Sequence, residues 1–525
     1  MSTESPEAAV HEDNTAPLMS RRQIWLVFGG LMLGMLLTSL DQTVSTAMWT
    51  IVGQLDPAHG VEAMPWLATA YLLAAVATQP LFGKLADSYG PKPLYLVAIG
   101  LFVIGSAWAG MAGNLSELIA ARAVQGLGAG GSMVLAMAVT AVMVPADERG
   151  KYVGFGFPVM TVASVVGPLL GGFFTQPHGF LGLTTSWRWI FYLNLPIGLL
   201  CILVVATILR TPAPERVSHR IDYLGAGLLV SGTSALLIVA QWGGTRYPWT
   251  SATIIGLAAI GLVLIALFFW WQGRAAEPII PLRLFSNRTF RIAAPITFIV
   301  GFANFGSIIY IALYLQVVEG QSPTVAGLNM LPLTVGLGIG ALVTGQLVFR
   351  LHRYRVFGIL GSALATITLG LLGLLTSDTP LWVLSVDMFL FGVGLSQLMQ
   401  IPVLAVQKTV PITEMGVATA GVMFPRLVGG SFGTAVLGAL MLDRLSANLP
   451  AQLKSRASDI MTPGGLTTLP AGTQKEVMHA FVGAMHTVFI AAAATMLLVF
   501  ALTLMLREPS AATSDTEQGE APVAV

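Results

Sequence analysis

Charged residues are scarce in this chain: Asp, Glu, Lys and Arg together make up 10% of its 525 residues. A soluble domain carries about 25% charged residues, which cover its water-facing surface. Hydrophobic residues make up 55% of the chain, and the mean hydropathy is +0.78. Apolar runs of about 20 residues recur along almost the whole length, as in membrane helices, and the period-two strands of an outer-membrane barrel are not found. The sequence predicts an all-α polytopic membrane protein.

Other absences exclude several classes of function. The single cysteine, Cys201, cannot form an intramolecular disulfide. No Gly-x-x-x-x-Gly-Lys-Ser/Thr loop is found, so ATP-driven transport has no visible site. No His-rich cluster or Ser/His/Asp spacing lies within the apolar runs, and no basic cluster indicates nucleic acid. We therefore expect no enzyme activity, no cofactor, no metal and no nucleic-acid partner.

Charged and Pro/Gly-rich breaks divide the chain into fourteen predicted spans. They lie at 24–51, 65–84, 93–113, 115–143, 150–176, 187–209, 222–241, 250–272, 290–318, 324–349, 355–376, 380–407, 414–442 and 480–506. The predicted organisation is a six-helix bundle (24–210), two inserted helices with linkers (211–285) and a second six-helix bundle (286–507). Disordered tails at 1–23 and 508–525 flank them.

The basic residues predict the orientation, because Lys and Arg prefer cytoplasmic loops. With both termini in the cytoplasm, most of the 26 Lys and Arg residues fall in cytoplasmic segments. Most of the outer ones lie in the long loop at about 443–479, where charge bias counts less. The first residues are acidic and polar, so they are no cleavable signal peptide.

Three short patterns recur at nearly constant spacing and pair helices of two bundles. The pairs are Gly83-Lys84-Leu85 with Gly345-Gln346-Leu347, Gly126-x-Gly128 with Gly392-x-Gly394, and Gly167-Pro168-x-x-Gly171 with Gly429-Gly430-x-x-Gly433. They match span 2 with 10, span 4 with 12 and span 5 with 13, which leaves spans 7 and 8 as an insertion. Internal repeats of this kind are typical of secondary transporters, whose substrate site lies near the midplane between the repeats.

The glycines of RAVQGLGAGG, residues 122–131, fit a dinucleotide fingerprint but lack its context. That fingerprint needs a preceding strand and a helix that opens at the glycines. Here the glycines lie in the middle of a predicted helix, where small residues allow helices to approach closely. We therefore interpret them as packing positions.

Arg122, at the head of that stretch, is a charge inside a predicted span. Such a charge costs roughly 2.5–3.5 kcal/mol on insertion scales and faces a cavity or a partner. Asp41 in span 1 is the obvious partner. At a rise of ~1.5 Å per residue, Arg122 lies about 10 Å and Asp41 about 15 Å from the outer ends of their spans, so the two residues have similar depths. A proton carrier needs a carboxylate whose proton affinity changes, and an arginine that moves relative to it can change that affinity. The alternative is a permanent ion pair that only joins two helices.

At these residues the chain resembles the major facilitator superfamily, and specifically its fourteen-helix drug:proton antiporter branch, over about residues 24–507. LIAARAVQGLGAG resembles the helix-4 motif, GKLADSYGPKP (83–93) the loop motif between helices 2 and 3, and ASVVGPLLGG (163–172) the antiporter motif of helix 5. WRWIFYLNLPIG (187–198), EPIIPLRLF (277–285), YLQVVEGQSPTVAGLNMLPL (314–333) and LDQTVSTAM resemble the fourteen-helix branch. Ser88 and Pro91 replace basic residues in the loop motif, Ala163 replaces the leading glycine of the antiporter motif, and Thr46 and Thr50 replace the usual Asn and Pro in span 1.

The resemblance implies roles for these motifs. Proton coupling falls on Asp41 and Arg122, and a conformational gate falls on Gly83, Asp87, Gly90 and Lys92. The antiporter motif comprises Gly167, Pro168, Gly171 and Gly172, where the proline removes one backbone hydrogen bond so that the helix can bend. Asp87 is expected either to cap the next helix or to pair with Lys92.

Spans 1, 4, 9 and 12 line the cavity in such a fold. The candidate substrate contacts there are Asn304, Tyr310, Tyr314, Gln316, Asp387, Gln397, Met399 and Gln400. Asp387 would attract a lipophilic cation, carry a second proton or serve only at the interface. Arg426 is interpreted as a structural charge that bonds carbonyl groups between helices.

The predicted function is a proton-coupled antiporter that exports amphipathic, often cationic, drugs by alternating access and so confers antibiotic resistance. It would act as a monomer in a bacterial cytoplasmic membrane, with lipophilic small molecules, protons and the lipid bilayer as partners. One alternative is a narrow exporter of a single lipid or secondary metabolite. Another, from a different class, is a membrane scaffold or sensor that does not transport.

Overall fold

The structure is a computed structural model that describes most of the chain. The described residues are 19–41, 43–56, 60–145, 148–149, 151–152, 159, 163, 166–167, 170, 173–174, 179–180, 183–184, 186–210, 222–244, 246–321, 323–351, 353–376, 379–450, 453, 471–506 and 508.

Helices dominate the described residues. In the first half they are α1 (Arg21–Leu40), α2 (Thr43–Leu55), α3 (Gly60–Tyr89), α4 (Pro91–Met111), α5 (Leu115–Met143), α6 (Arg188–Tyr192), α7 (Asn194–Ile208), α8 (Tyr223–Trp242) and α9 (Ala252–Gln272). In the second half they are α10 (Arg288–Val317), α11 (Pro323–Asn329), α12 (Leu331–Leu351), α13 (Arg355–Leu372), α14 (Leu381–Gln407), α15 (Met415–Asn448) and α16 (Ala471–Met505). Two 3-10 helices, Leu282–Ser286 and Ile412–Glu414, precede α10 and α15. The described strands are a two-residue hairpin, β1 (Gly179–Phe180) with β2 (Leu183–Thr184).

The predicted all-α membrane fold is confirmed. Among the described residues, 13 helices are long and apolar enough to cross a membrane. The predicted fifth span, 150–176, falls largely outside the described residues. Several predicted limits differ from the helix bounds, among them those of the first and last spans. Span 1 is divided into α1 and α2, with Asp41 in the turn between them, and the last helix begins at Ala471, earlier than position 480.

The helices pack as two groups, with α8 between them. In the first group α5 packs on α3 and α4, and α7 packs on α1 and α4. In the second group α14 packs on α12 and α13, while α10 packs on α15 and α16. The inserted α8 contacts α3 on one side and α15 on the other, and α9 packs on α8.

The repeated Gly-x-Gly pattern plays the same part in both groups. A side chain at Gly126 of α5 would meet the backbone of α3, and one at Gly128 would meet the backbone of α4. In the second group, a side chain at Gly392 of α14 would meet the backbone of α12, and one at Gly394 would meet the backbone of α13. The absent Cβ atoms therefore allow the central helix of each group to lie directly against its two neighbours.

The described ends of the chain and many basic residues lie at one end of the helices. We call this the basic end. The backbone N–H of Arg210 contacts the sulfur of Met19, and the Lys92 ammonium donates to the carbonyl of Leu209 at 2.6 Å. At the same end of the second group, Arg355 bonds the side chain of Glu508 and Lys408 lies over the ring of Tyr354. Met19 and Glu508 therefore lie at the same end of the molecule.

Candidate functional site

The structure brings Asp41 and Arg122 together inside the first group. The Arg122 guanidinium donates to the Asp41 carboxylate, and both side chains are buried, at 3% and 5% exposure. Asp41 lies in the turn that ends α1, and its own N–H donates to Ser39 O in place of the helical pattern. A charged residue therefore stands at the point where a membrane helix is interrupted, as in the ion sites of transporters with broken helices.

Arg122 has three further partners besides Asp41. Its Nε donates to Leu67 O at 3.0 Å, its Nη1 donates to Gln125 Oε1 at 2.7 Å, and its guanidinium lies 4.3 Å from the centre of the Tyr71 ring. These contacts leave Arg122 bonded when its contact with Asp41 changes. The ion pair is therefore one contact among several, and its loss leaves the guanidinium hydrogen-bonded but without a counter-charge.

A chain of hydrogen bonds extends the pair across the first group. Gln125 Nε2 donates to Ser106 Oγ of α4 at 2.8 Å, and Asn194 Nδ2 of α7 donates to the same oxygen at 3.3 Å. No individual role was predicted from the sequence for Tyr71, Ser106 or Asn194. Their signal was weak, since each is a single polar or aromatic residue within an apolar run.

Asp87 joins the two groups at the basic end. Its Oδ1 accepts from the Gly416 N–H at 2.6 Å and its Oδ2 from the Val417 N–H at 2.7 Å. These two N–H groups belong to the first turn of α15, where backbone N–H groups have no acceptor within the helix. A carboxylate is also favoured there by the helix dipole. Gly83, one turn earlier, lies directly against Gly416 and Ala420.

The partners expected for Asp87 were therefore wrong. It caps neither of its neighbouring helices and bonds α15 instead, because the two groups meet at this end. Lys92 Nζ donates to the carbonyls of Ala206 and Leu209 at the end of α7. Gly90 has a positive φ of 85° directly before α4, a conformation that glycine adopts without strain.

A second contact between the groups at the basic end involves Arg149. This buried side chain donates to Ala141 O at 2.8 Å and to Val144 O at 3.2 Å, both at the end of α5. It also donates to Gln407 O, at the end of α14, at 3.4 Å. One cation therefore bonds the carboxyl-terminal ends of two corresponding helices, where the helix dipoles favour positive charge. No motif in the sequence had singled out Arg149.

The antiporter motif lies mostly outside the described residues. Gly167 is described as helical, whereas Pro168, Gly171 and Gly172 are not among the described residues. The role expected for this motif remains a prediction.

Four cavity candidates pack or bond within the second group. Tyr310 and Tyr314 belong to the apolar core of the second group, and the Tyr314 hydroxyl donates to Thr376 O at 2.9 Å. Gln316 bonds its own helix through Ala312 O, and Gln397 packs against Gly361 of α13. The role of these four residues as substrate contacts stays a prediction.

Gln397 and three other candidates keep unsatisfied polar atoms. The Oε1 of Gln397 is buried without a hydrogen-bond partner among the described residues. Both carboxylate oxygens of Asp387, the amide oxygen of Asn304 and both amide atoms of Gln400 are buried without a hydrogen-bond partner among the described residues. Met399 packs against the interbundle cluster, an apolar cluster that joins Val134 and Met137 of α5 to α14 and α15.

Arg426 lacks the carbonyl partners that its structural interpretation required. Its Nη2 lies 3.6 Å from the sulfur of Met133 on α5, and its Nε has no partner among the described residues. The side chain is 8% exposed. Arg426 therefore reaches across the boundary between the two groups, and it has no charged or carbonyl partner in the described part of the chain.

Comparisons with known proteins agree with this architecture. Residues 24–222 match the family described as Major Facilitator Superfamily. An uncharacterized MFS-type transporter of Mycobacterium tuberculosis is 37% identical over 500 residues, covering 94% of this chain and 71% of the relative. The multidrug transporter protein MdtP of Bacillus subtilis is 34% identical, over 85% of this chain and 82% of the relative. The efflux pump FUS6 of Gibberella fujikuroi is 32% identical, over 88% and 83%.

Solved structures show the same fold at low identity. The human organic anion transporter MFSD10 matches with a TM-score of 0.61 at 15% identity, over 92% of this chain and 99% of that one. The proton:xylose symporter XylE matches with a TM-score of 0.59 at 15% identity, over 93% and 100%. The chain is a multi-pass membrane transporter. It belongs to the major facilitator superfamily, and its relatives include named efflux pumps.

Proposed function

We propose that this protein is a proton-coupled antiporter that exports amphipathic organic compounds by alternating access. The observation that carries the proposal is the buried pair of Asp41 and Arg122 at the interruption between α1 and α2. A carboxylate inside a membrane span, held by an arginine with other partners, has the chemistry of a proton carrier.

In this mechanism Asp41 exchanges its contact with Arg122 for a proton. While Asp41 is ionised, the guanidinium neutralises it. When a proton binds, Arg122 keeps Leu67 O and Gln125 as hydrogen-bond partners. These bonds offset part of the cost of leaving the guanidinium without its counter-charge, so the pair can separate. The separation allows α1 and α2 to move relative to α5, and this movement couples proton binding to the change of access.

The basic end supplies the second element of the mechanism. Asp87 and Arg149 bond the two groups there, and the interbundle cluster fills the space beside them. The charge bias of the sequence predicts that this end faces the cytoplasm. The conformation then has its cytoplasmic side closed, and substrate loading requires both sets of contacts to open.

The test is transport in proteoliposomes with an imposed pH gradient. Ethidium and 1-pyrenebutyrate serve as a cationic and an anionic amphipathic probe. We expect uphill movement of at least one probe, and proton movement in the opposite direction reported by an internal pH dye. Asp41→Asn should abolish uphill movement and leave probe binding intact. Transport that ignores the pH gradient in the wild type would overturn proton coupling.

The second candidate is a narrow exporter of one secondary metabolite. Relatives favour it, since one is named as a transporter of the acurin A biosynthesis cluster in Aspergillus aculeatus, 32% identical over 91% of this chain. A narrow exporter would move neither ethidium nor other unrelated dyes. A scaffold or sensor would move no compound and would show no proton flux.

A further inference from the structure

Arg426 lies at a boundary between helices of both groups, close to other unsatisfied polar side chains. Gln407 Nε2 of α14 donates to Thr419 Oγ1 of α15 at 3.0 Å, which sets the register of these antiparallel helices. Seven residues, or two helical turns, further from the basic end, α14 has Gln400 and α15 has Arg426. At 3.6 residues per turn, a step of seven returns to nearly the same face of each helix. Gln400 and Arg426 therefore lie at the same level on matching faces.

Gln79 of α3 lies near the same level. Asp87 and Gly83 fix the register of α3 against α15 through Gly416. One turn beyond Gly83, Gln79 is 3% exposed, and its Oε1 has no partner among the described residues. Gln79, Gln400 and Arg426 thus place two amides and one guanidinium around a shared depth, beside Met133.

Among the residues that the structure describes, no carboxylate bonds Arg426. The chain contains no Asp or Glu between Arg149 and Pro214, so the largely undescribed fifth span cannot supply one. Asp41 is bonded to Arg122. Asp387 lies on α14 thirteen residues from Gln400, about 20 Å along the helix at ~1.5 Å per residue. A buried, unpaired cation in a membrane span is costly and marks a functional site.

We propose that Arg426, with Gln400 and Gln79, binds the anionic group of the transported compound, so that the substrate class is amphipathic organic acids. The guanidinium supplies charge-assisted donors for a carboxylate or a similar oxyanion. The two amides offer further donors and acceptors for its neighbouring polar atoms, and Met133 with the interbundle cluster offers apolar contact to the rest of the molecule. This inference rests on the proposed export function and narrows its substrate, because the sequence alone had favoured lipophilic cations.

The experiment measures binding to the purified full-length protein without any pH gradient. The probes are 1-pyrenebutyrate and 1-pyrenebutyl-trimethylammonium, which share a ring system and differ in charge, and energy transfer from tryptophan to pyrene reports binding. We expect the wild type to bind the carboxylate about 10- to 100-fold more tightly than the ammonium, as expected for a hydrogen-bonded charged group. Equal or tighter binding of the ammonium would overturn the proposal.

Variants test which residues cause the preference for the carboxylate over the ammonium probe. Arg426→Gln should abolish it and Arg426→Lys should retain most of it. The control Arg350→Gln, at an exposed arginine of α12, should change nothing. Gln400→Leu leaves the charge in place and should weaken carboxylate binding about three- to tenfold, which keeps the test valid if Arg426→Gln does not fold. An unchanged preference in folded Arg426→Gln, or in Gln400→Leu if that variant alone folds, would overturn the site.

Competition defines the ligand further. Decanoate should displace 1-pyrenebutyrate, and inorganic phosphate at the same concentration should not. Displacement by phosphate alone would indicate a site for free inorganic anions and would overturn the substrate class. Because binding is measured without a gradient, a failure of proton coupling in proteoliposomes would leave this result standing, and the two proposals can fail separately.

Discussion

The carboxylate of Asp87 lies 2.6 Å from the backbone nitrogen of Gly416, although 329 residues separate them along the chain. The contact joins the end of α3 to the first turn of α15 and thereby connects the two groups of helices. A hydrogen bond to a charged group contributes about 1.5–3 kcal/mol, so Asp87 holds a large share of the closed arrangement at the basic end.

Asp87→Asn should open the basic end, because the amide keeps one acceptor oxygen and loses the charge. The expected change is about 1–2 kcal/mol, or roughly 5- to 30-fold in the equilibrium between closed and open forms. Spin labels at Tyr89→Cys and Thr413→Cys, in a Cys201→Ala background, would report a shift toward longer distances. The control is Glu117→Gln, since Glu117 accepts from Gly113 N–H within the first group only. An unchanged distance distribution in Asp87→Asn would contradict the role of this contact.

Arg149→Gln should weaken the same closed form by a separate route. The side chain bonds carbonyls at the ends of both α5 and α14, and glutamine is too short to reach both. In a two-state equilibrium the free-energy effects of Arg149→Gln and Asp87→Asn should add to within about 0.5 kcal/mol. The same pair of spin labels measures this. A double variant no more open than either single variant would show that one contact already controls closure.

The charge of the substrate determines how the membrane potential acts. Exchange of one exported monovalent anion for one proton moves two positive charges inward, whereas exchange of a monovalent cation for one proton moves none. Each charge contributes about 2.3 kcal/mol per 100 mV. An inside-negative potential without a pH gradient should therefore accelerate export of 1-pyrenebutyrate, and any ethidium export should not respond. Potassium gradients with valinomycin set the potential, and export of 1-pyrenebutyrate that ignores it would exclude this stoichiometry.

Gly429→Ala should destabilise the second group. A Cβ at this position of α15 would strike the backbone oxygen of Phe298 on α10, so the helices would have to separate. Overpacking of this kind costs roughly 1–3 kcal/mol. Thermal unfolding in detergent would measure it, with Gly370→Ala as the control, since a Cβ there meets nothing within 4 Å. Equal melting temperatures for the two variants would show that α10 and α15 can adjust without cost.

Some contacts followed directly from the sequence. The depth of Asp41 and Arg122 along their spans predicted the pair, because helix rise per residue is constant and a membrane charge requires a partner. The repeated Gly-x-Gly patterns predicted two related groups, and the structure uses both patterns for the same kind of helix contact.

The sequence could not predict in the same way which face of each helix lies toward the cavity. A membrane helix is apolar on nearly all sides, so periodicity does not separate the side that faces a cavity from the side that faces a neighbour. Tyr310 and Tyr314 were therefore named as cavity candidates from their span alone, and the structure places both in the apolar core of the second group.

The amino-acid sequence by itself determined the membrane class, the helical fold and the pairing of Asp41 with Arg122, because hydropathy, length and depth are local properties of each span. Only the tertiary structure decided that Asp87 bonds α15 and that Arg149 joins two helix ends. It also decided that Arg426 has no carboxylate beside it among the described residues. Those relationships depend on the packing of helices that lie hundreds of residues apart, and sequence spacing contains no measure of that packing.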